Sequence, residues 1–344
     1  MLSSYASSFL TETKKHVSGE KLIQNLNHKN NYVTHFANLK LYIRLGMKLT
    51  RIHRVLRFEQ IPSVKSYIDF NTEKRRQAKT DFERDFYKLL NNSVFGKTME
   101  NARNRVNVVL CDDANKAKKL IAQPTFQHVE IINPELVMIH RLRAKIHQNK
   151  PIYTGFSILE LSKVHMYRFH YDVMLAKYGL NCRLLFTDTD SFCYSIQTED
   201  LYDDMTTFLE HLDTSTYPKD HPLYTSLNAK VLGKFKDECN GMAPLEFVGL
   251  RSKMYSLLTS RRHAKMTAKG IKKSYVQKHV THEMFLHTLQ NKTCTTARFM
   301  NFRSRNHTIQ TEQIDKICLS AYDDKRYLMM DGVSSLAYGH KDIL

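Results

Sequence analysis

The chain of 344 residues has room for about two domains and a sizeable core, which excludes a peptide or a linker. Lysine and arginine number 52 against 34 aspartates and glutamates, a formal net charge of +18 with 17 histidines in addition. With 42% hydrophobic and 10% aromatic residues, this balance excludes an acidic or disordered chain and favours a folded protein that meets a polyanion, nucleic acid first and an anionic membrane surface second.

Few glycines (11) and prolines (7) remove collagen-like and repeat-rich readings. Six cysteines (Cys111, Cys182, Cys193, Cys239, Cys294, Cys318) never fall as C-x-x-C and are too sparse for a disulfide framework. They read as reduced thiols of an intracellular protein, nuclear or cytoplasmic. The N-terminus lacks a basic region followed by an apolar one, and no uncharged apolar run approaches the ~18 residues of a membrane span, so neither export nor a membrane partner is expected.

No repeat or Pro/Gly/Ser linker divides the chain, so the elements are taken in order. Phe36, Leu39 and Ile43 predict a short helix between Asn31 and Met47, and Ile52–Phe58 reads as a strand. A basic helical approach with Lys74, Arg75, Arg76 and Lys79 leads to Thr80-Asp81-Phe82-Glu83, a capping box opening a helix with Phe82, Phe86, Leu89 and Leu90 on its apolar side. A second capping box, Ser157 to Glu160, opens a helix through Ile158, Leu161, Val164, Tyr167, Tyr171, Met174 and Tyr178 that stops at Gly179. Arg183–Thr187 and Ser191–Ile196 read as a hairpin. The acidic stretch from Thr198 to Asp220 reads as loop, Val231–Lys236 and Leu245–Leu258 as strands, and the chain from Lys272 onward as basic helices.

Three constellations carry chemistry. The hairpin turn places Asp188 and Asp190 two residues apart beside apolar strands, the oxygen ligands a hard cation such as magnesium takes together with substrate phosphates; a solvated turn is the alternative. On the helix from Asp81, Arg84, Lys88 and Asn92 share the face opposite the phenylalanines and offer cations and an amide to an elongated anion, against the alternative of a solvated basic face. Lys253 and Tyr255 share one face of an expected strand, suited to a phosphate and a sugar or base, or to nothing beyond amphipathicity. His165, His170, His279, His282 and His287 are scattered without H-E-x-x-H order, which disfavours zinc.

Lys88-x-x-x-Asn92-Ser93-x-Phe95-Gly96 resembles the K-x3-N-S-x-Y-G motif of family B DNA polymerases, Phe186-x-Asp188-Thr189-Asp190-Ser191 resembles their Y-x-D-T-D-S, and Lys253-x-Tyr255 resembles their K-x-Y, in the family's order. The chain is most similar to the protein-primed branch of phages, adenoviruses, linear plasmids and Polinton (Maverick) transposons. NYVTHFANLKLYIRLGMKL, YIDFNTEKR, GFSILELSK and GLRSKMYSLL resemble the Polinton group, and the likeness extends from about Lys21 to the end.

The resemblance implies template-directed nucleotidyl transfer from dNTPs on a primer–template, serving replication of a mobile element or virus. Asp190 would be the principal carboxylate for two catalytic Mg2+ (or Mn2+) ions and Asp188 an accessory ligand. Lys88, with Arg84 and Asn92, would neutralise the triphosphate, and Phe95 would pack near the nucleotide sugar where the family has tyrosine. Phe186 likewise replaces a tyrosine. Ser93, Gly96, Lys253 and Tyr255 would lie on the primer and DNA side. The implied fold is α/β, an incomplete right hand: an N-terminal palm remnant and first insertion region (1–80), helical fingers and second insertion region (81–150), an antiparallel palm (151–262) and a small thumb (263–344), with a terminal protein as priming partner. Lys269, Lys272, Lys273 and Lys278 would contact duplex phosphates, or simply be solvated.

The family's upstream D-x-x-S-L-Y-P carboxylate motif does not precede Lys88. In Leu212–Asp220 the spacing from Asp213 to Tyr217 is one short and follows the hairpin, so that segment reads as a loop; Asp69 lacks the rest of the motif. Without that motif and the exonuclease motifs, the chain resembles the carboxyl-terminal part of a polymerase. Two ions held about 3.5–4 Å apart need carboxylates from both motifs. A polymerase by family is therefore set beside a non-catalytic nucleic-acid-binding remnant. A D-x-D nucleotide-sugar transferase is the third reading, and it explains neither the Lys88 helix nor the charge.

Overall fold

In a computed structural model of the protein, residues 3–13, 22–259, 263–305 and 308–343 are described. Lys21 and Arg262, which mark expected boundaries, lie outside them. The described residues mix helix and antiparallel sheet, consistent with the α/β class. They form two compact units, Thr34–His165 and Met1–Val33 with Met166–Leu344. Helix α1 (Ser4–Thr13) belongs to the second, where Ala6 packs with Tyr322 and Leu328.

The Thr34–His165 unit begins with α2 (Phe36–Arg44), inside the expected span. The strand expected at Ile52–Phe58 does not form: the segment has no regular structure and is exposed throughout. A strand is stabilised by its ladder and its covered face, and this stretch has neither. Helices α3 (Lys65–Gln77) and α4 (Asp81–Thr98) form a hairpin joined by Asn91 Nδ2 donating to Thr72 Oγ1 at 3.2 Å. The capping box is complete: Thr80 Oγ1 accepts from Glu83 N, and Glu83 Oε2 accepts from Thr80 N, each at 3.2 Å.

The stretch expected as a second insertion region holds strands that the sequence did not disclose. β1 (Asn107–Cys111), α5 (Ala114–Ile121), β2 (Phe126–Asn133) and β3 (Leu136–Arg141) make an antiparallel sheet in the order β1-β3-β2, with Cys111, Ala117 and Ile139 as its core. Helix α6 (Ile152–Arg168) opens five residues before the expected capping box. Ser157 and Glu160 are therefore interior, buried positions. Glu160 serves another segment instead: its Oε2 accepts from Thr34 Oγ1 (2.9 Å), His35 N (3.1 Å) and Asn38 Nδ2 (2.9 Å), fixing the start of α2. The division between the units falls after His165, within α6.

In the second unit, a π-turn (Phe169–Met174) and α7 (Leu175–Tyr178) continue α6 to Gly179, whose φ of +52° ends the helix where expected. Phe169, Met174 and Tyr178 pack with Cys182, Phe208 and Leu212. The hairpin β4 (Cys182–Thr187) and β5 (Phe192–Ile196) forms as expected. The acidic stretch is not all loop. Asp200 caps α8 (Leu201–Thr206) by accepting from Tyr202 N (2.8 Å) and Asp203 N (3.1 Å). β6 (Leu212–Asp213) pairs with β7 (Phe235–Lys236), all that forms of the strand expected from Val231.

The expected strand Leu245–Leu258 is a hairpin, β8 (Pro244–Arg251) and β9 (Met254–Thr259), extended by β10 (Ala264–Ala268) into a meander. The basic helices expected after Lys272 are short: α9 (Lys273–His279) and α10 (His282–Asn291) give way to a long ribbon, β11 (Cys294–Arg305) and β12 (Thr308–Ser320). Alternating Thr, Ile and Phe residues favour strand here, and the lysines and arginines lie on its exposed positions. β13 (Tyr327–Leu328) and β14 (Ser335–Leu336) close the order. One core joins the β8–β10 meander, α9, α10 and the base of the ribbon, with Met254, Phe285, Ala297 and Leu319 fully buried.

Candidate functional site

The Asp188 turn is a tight structure. Asp188 N donates to Ser191 O at 3.1 Å, Ser191 N returns a bond to Asp188 O at 3.2 Å, and Asp190 N approaches Asp188 O at 2.6 Å. Thr189 between the two acids has φ +56°. A β-branched residue is strongly disfavoured in that left-handed region, so the turn carries backbone strain where the two carboxylates emerge. Asp190 is exposed, and no ion pair or hydrogen bond reaches its carboxylate among the described residues.

Lys253 and Tyr255 do not share a strand face as expected. Lys253 is the second residue of the two-residue β8–β9 turn, with φ +60°, and Tyr255 stands on β9. The turn nonetheless delivers both to the Asp188 hairpin. Lys253 Nζ lies 2.9 Å from Asp188 Oδ1, and the Tyr255 ring stacks on Phe186 with centroids 4.3 Å apart. Phe247, which sequence reasoning missed, completes the contact at 5.9 Å from Phe186 and 6.1 Å from Tyr255. Gly249 makes room for it: a Cβ there would meet the Phe247 ring at 2.8 Å. A glycine inside a strand pattern is the signal that marked this close approach. Each such aromatic pair contributes about 0.5–1.5 kcal/mol beyond burial, so the two motif-bearing hairpins are held together by rings beneath and an ion pair above.

This second hairpin is anchored from below. The buried Ser256 Oγ and His282 Nδ1 lie 2.8 Å apart, and His282 Nε2 stands 3.3 Å from Glu246 Oε2. His170 packs on Tyr194, with Nδ1 3.1 Å from its hydroxyl, and burial lowers its pKa. Asp213, from the rejected motif, is buried. Burial alone would raise its pKa, but bonds from Ser215 and from Lys230 N outweigh this and hold it low. It is a structural acid of its own loop.

The residues expected on the nucleotide side lie in the other unit, on α4. Arg84, Lys88, Asn92 and Phe95 follow one another at helical spacing on one face, and Lys88 and Asn92 are exposed. Arg84 is paired with Asp81 at 3.1 Å, which reduces its free charge. Ser93 Oγ donates to Leu90 O at 2.8 Å, and a Cβ on Gly96 would meet nothing within 4 Å. No packing demand explains that glycine. Phe82, Phe86 and Leu89 on the opposite face are exposed, with the two phenylalanine rings stacked at 6.2 Å.

The donor chemistry of Asp188 and Asp190 suits one hard cation completed by substrate phosphates. It falls short of a two-ion centre: among the described residues no three His, Cys, Asp or Glu side chains stand together at metal-binding distance. Lys253 already places a positive charge on Asp188.

The turn thus sets two carboxylates and Lys253 beside a cluster of aromatic rings in a mixed helix and sheet fold. A family model described as DNA polymerase type B, organellar and viral, matches residues 6–174. That stretch is a type B DNA polymerase region of the viral and organellar kind. The match contains α4 and ends before the Asp188 hairpin. Neither the curated proteins nor the solved structures return a match.

Proposed function

We propose that the chain is a DNA-directed DNA polymerase of the protein-primed branch that binds primer–template and dNTPs and transfers nucleotides to a primer 3′ end. The observation that carries this reading is the convergence of Lys253 and Tyr255 on the Asp188–Asp190 turn. Two motifs more than sixty residues apart in sequence meet there, as a primer-gripping and phosphate-handling pair requires. On this reading Lys253 holds a primer phosphate and Tyr255 packs beside the terminal sugar. Lys88, with Arg84 and Asn92, neutralises the triphosphate of an incoming nucleotide, and Phe95 lies against its sugar. Asp190 and Asp188 would hold magnesium or manganese, which supplies Lewis-acid stabilisation of charge on phosphoryl oxygens. The β4–β5 and β8–β10 hairpins correspond to palm, α3–α4 to fingers, and the chain beyond residue 263 to thumb. A mobile element or virus is the proposed replicon, with a terminal protein as primer.

One observation favours a second reading, a non-catalytic DNA-binding remnant: Lys253 neutralises Asp188, and no third acid joins the turn among the described residues. Both readings require DNA binding. The experiment that tests the grip is titration of a primer–template at several salt concentrations with Lys253→Ala and Tyr255→Ala. The proposal expects weaker binding in both, and for Lys253→Ala a salt slope shallower by about 0.9, the share of one phosphate contact. Unchanged affinity and slope would remove Lys253 from the DNA.

A further inference from the structure

Away from the Asp188 turn, the base of the ribbon carries a shallow groove of about 300 Å³ between α9 and β11. Its wall is a run of rings. Tyr275 lies between His279 (centroids 4.6 Å) and Phe299 (6.0 Å), and Met300 extends the apolar surface. Two lysines border it. Lys272 Nζ donates to Met300 O at 2.8 Å, keeping its full charge at the rim. Lys278 is exposed, with no ion pair among the described residues. Arg298 also lines the groove, but its guanidinium is spent on a two-bond pair with Asp315 (2.7 and 2.9 Å). The net local charge therefore comes from Lys272 and Lys278.

An aromatic wall with flanking ammonium groups has the chemistry of a site for an unpaired nucleotide, in which the ring surface takes the base and the lysines take the phosphates on either side. A duplex buries its base faces and offers nothing to such a wall. The geometry points to a single-stranded DNA subsite in this groove, separate from the Asp188 turn, in which a base lies against Tyr275, His279 and Phe299 while Lys272 and Lys278 hold the adjoining phosphates.

The test is photocrosslinking of the full chain to an oligodeoxynucleotide carrying one 5-iodouracil, with the adduct located by peptide mass spectrometry, beside salt titration of the same oligonucleotide. The expected adduct falls on Tyr275, His279 or Phe299. Lys278→Ala is expected to make the salt slope shallower by about 0.7, one single-strand phosphate contact, and His279→Ala to lower adduct yield severalfold. Both side chains are exposed, so the fold is retained; Tyr275 packs against the core and is left intact. Asp190→Asn is expected to leave the adduct unchanged, so failure of the polymerase reading does not carry this one with it. Adducts confined to other segments, or an unchanged slope in Lys278→Ala, would overturn the subsite. Loss of the adduct to an equimolar mononucleotide would assign the groove to free nucleotides and overturn the strand.

Discussion

Glu160 offers the sharpest physical test of the Thr34–His165 unit. Its carboxylate is almost fully buried on α6, yet it accepts from Thr34, His35 and Asn38 and pairs with Lys163. Burial by itself raises its pKa; Lys163, Asn38, His35 N and Thr34 together more than reverse this and bring it to about 2 from an ordinary 4.5. A difference of that size corresponds to roughly 3 kcal/mol in favour of the ionised folded state. Because the folded pKa is depressed, the contribution is complete above about pH 5 and is lost as pH falls through 4.5 toward 2. Glu160→Gln keeps the shape and one acceptor but not the charge, and so mimics the protonated acid. In equilibrium urea unfolding the wild type should exceed the variant by roughly 3 kcal/mol at pH 7 and by less than half of that at pH 3. A difference below about 1 kcal/mol at pH 7, or one that does not shrink in acid, refutes the clamp.

Three substitutions separate strain and packing from function. Thr189→Gly removes a β-branched residue from φ +56° and should raise stability by about 0.5–1 kcal/mol after the entropy cost of glycine; a loss of stability would show that the Thr189 side chain is needed in the turn. Gly96→Ala adds a methyl to open space near the end of α4 and should stabilise by about 0.5–1 kcal/mol, while any loss of dNTP binding in that variant would report a ligand using the space. Gly155→Ala should cost about 1–3 kcal/mol, because the new Cβ meets Met99 Cγ and Thr98 Oγ1 at 2.5 Å. Thermal melts rank the last two, and equal shifts of the same sign would contradict the packing of α6 on α4.

The sequence carried the parts of the site whose signals are local. The capping box at Thr80, the stop at Gly179 and the Asp188 hairpin are each set by a few adjacent residues, and each forms where expected. Where the signal depended on what lies across space, it misled. Ile158 and Leu161 read as the inner face of α6, yet they are exposed while Gly155, Ser157 and Glu160 are buried. The polar partners on α2 decide which face is covered at the start of the helix, whereas Val164, Met174 and Tyr178 further along are buried as their spacing suggests. Ile52–Phe58 has strand composition but no partner strand. Lys253 was legible as a candidate residue, but not as a left-handed turn residue, because one long apolar run concealed the hairpin bend at Ser252-Lys253. Gly249 marked a close approach within its own strand, but the contact of Phe247 with Phe186 on the other hairpin is one that no local pattern encodes.

The most direct measurement of the central claim is divalent-metal-dependent nucleotide incorporation on a primed template by the 344-residue chain, with Asp190→Asn beside it. A polymerase whose carboxylate turn handles the reacting phosphates predicts incorporation by the wild type that Asp190→Asn abolishes while DNA binding is retained. No incorporation by the wild type, with salt-sensitive DNA binding equal in both proteins, would contradict it and leave a chain that grips DNA without acting on it.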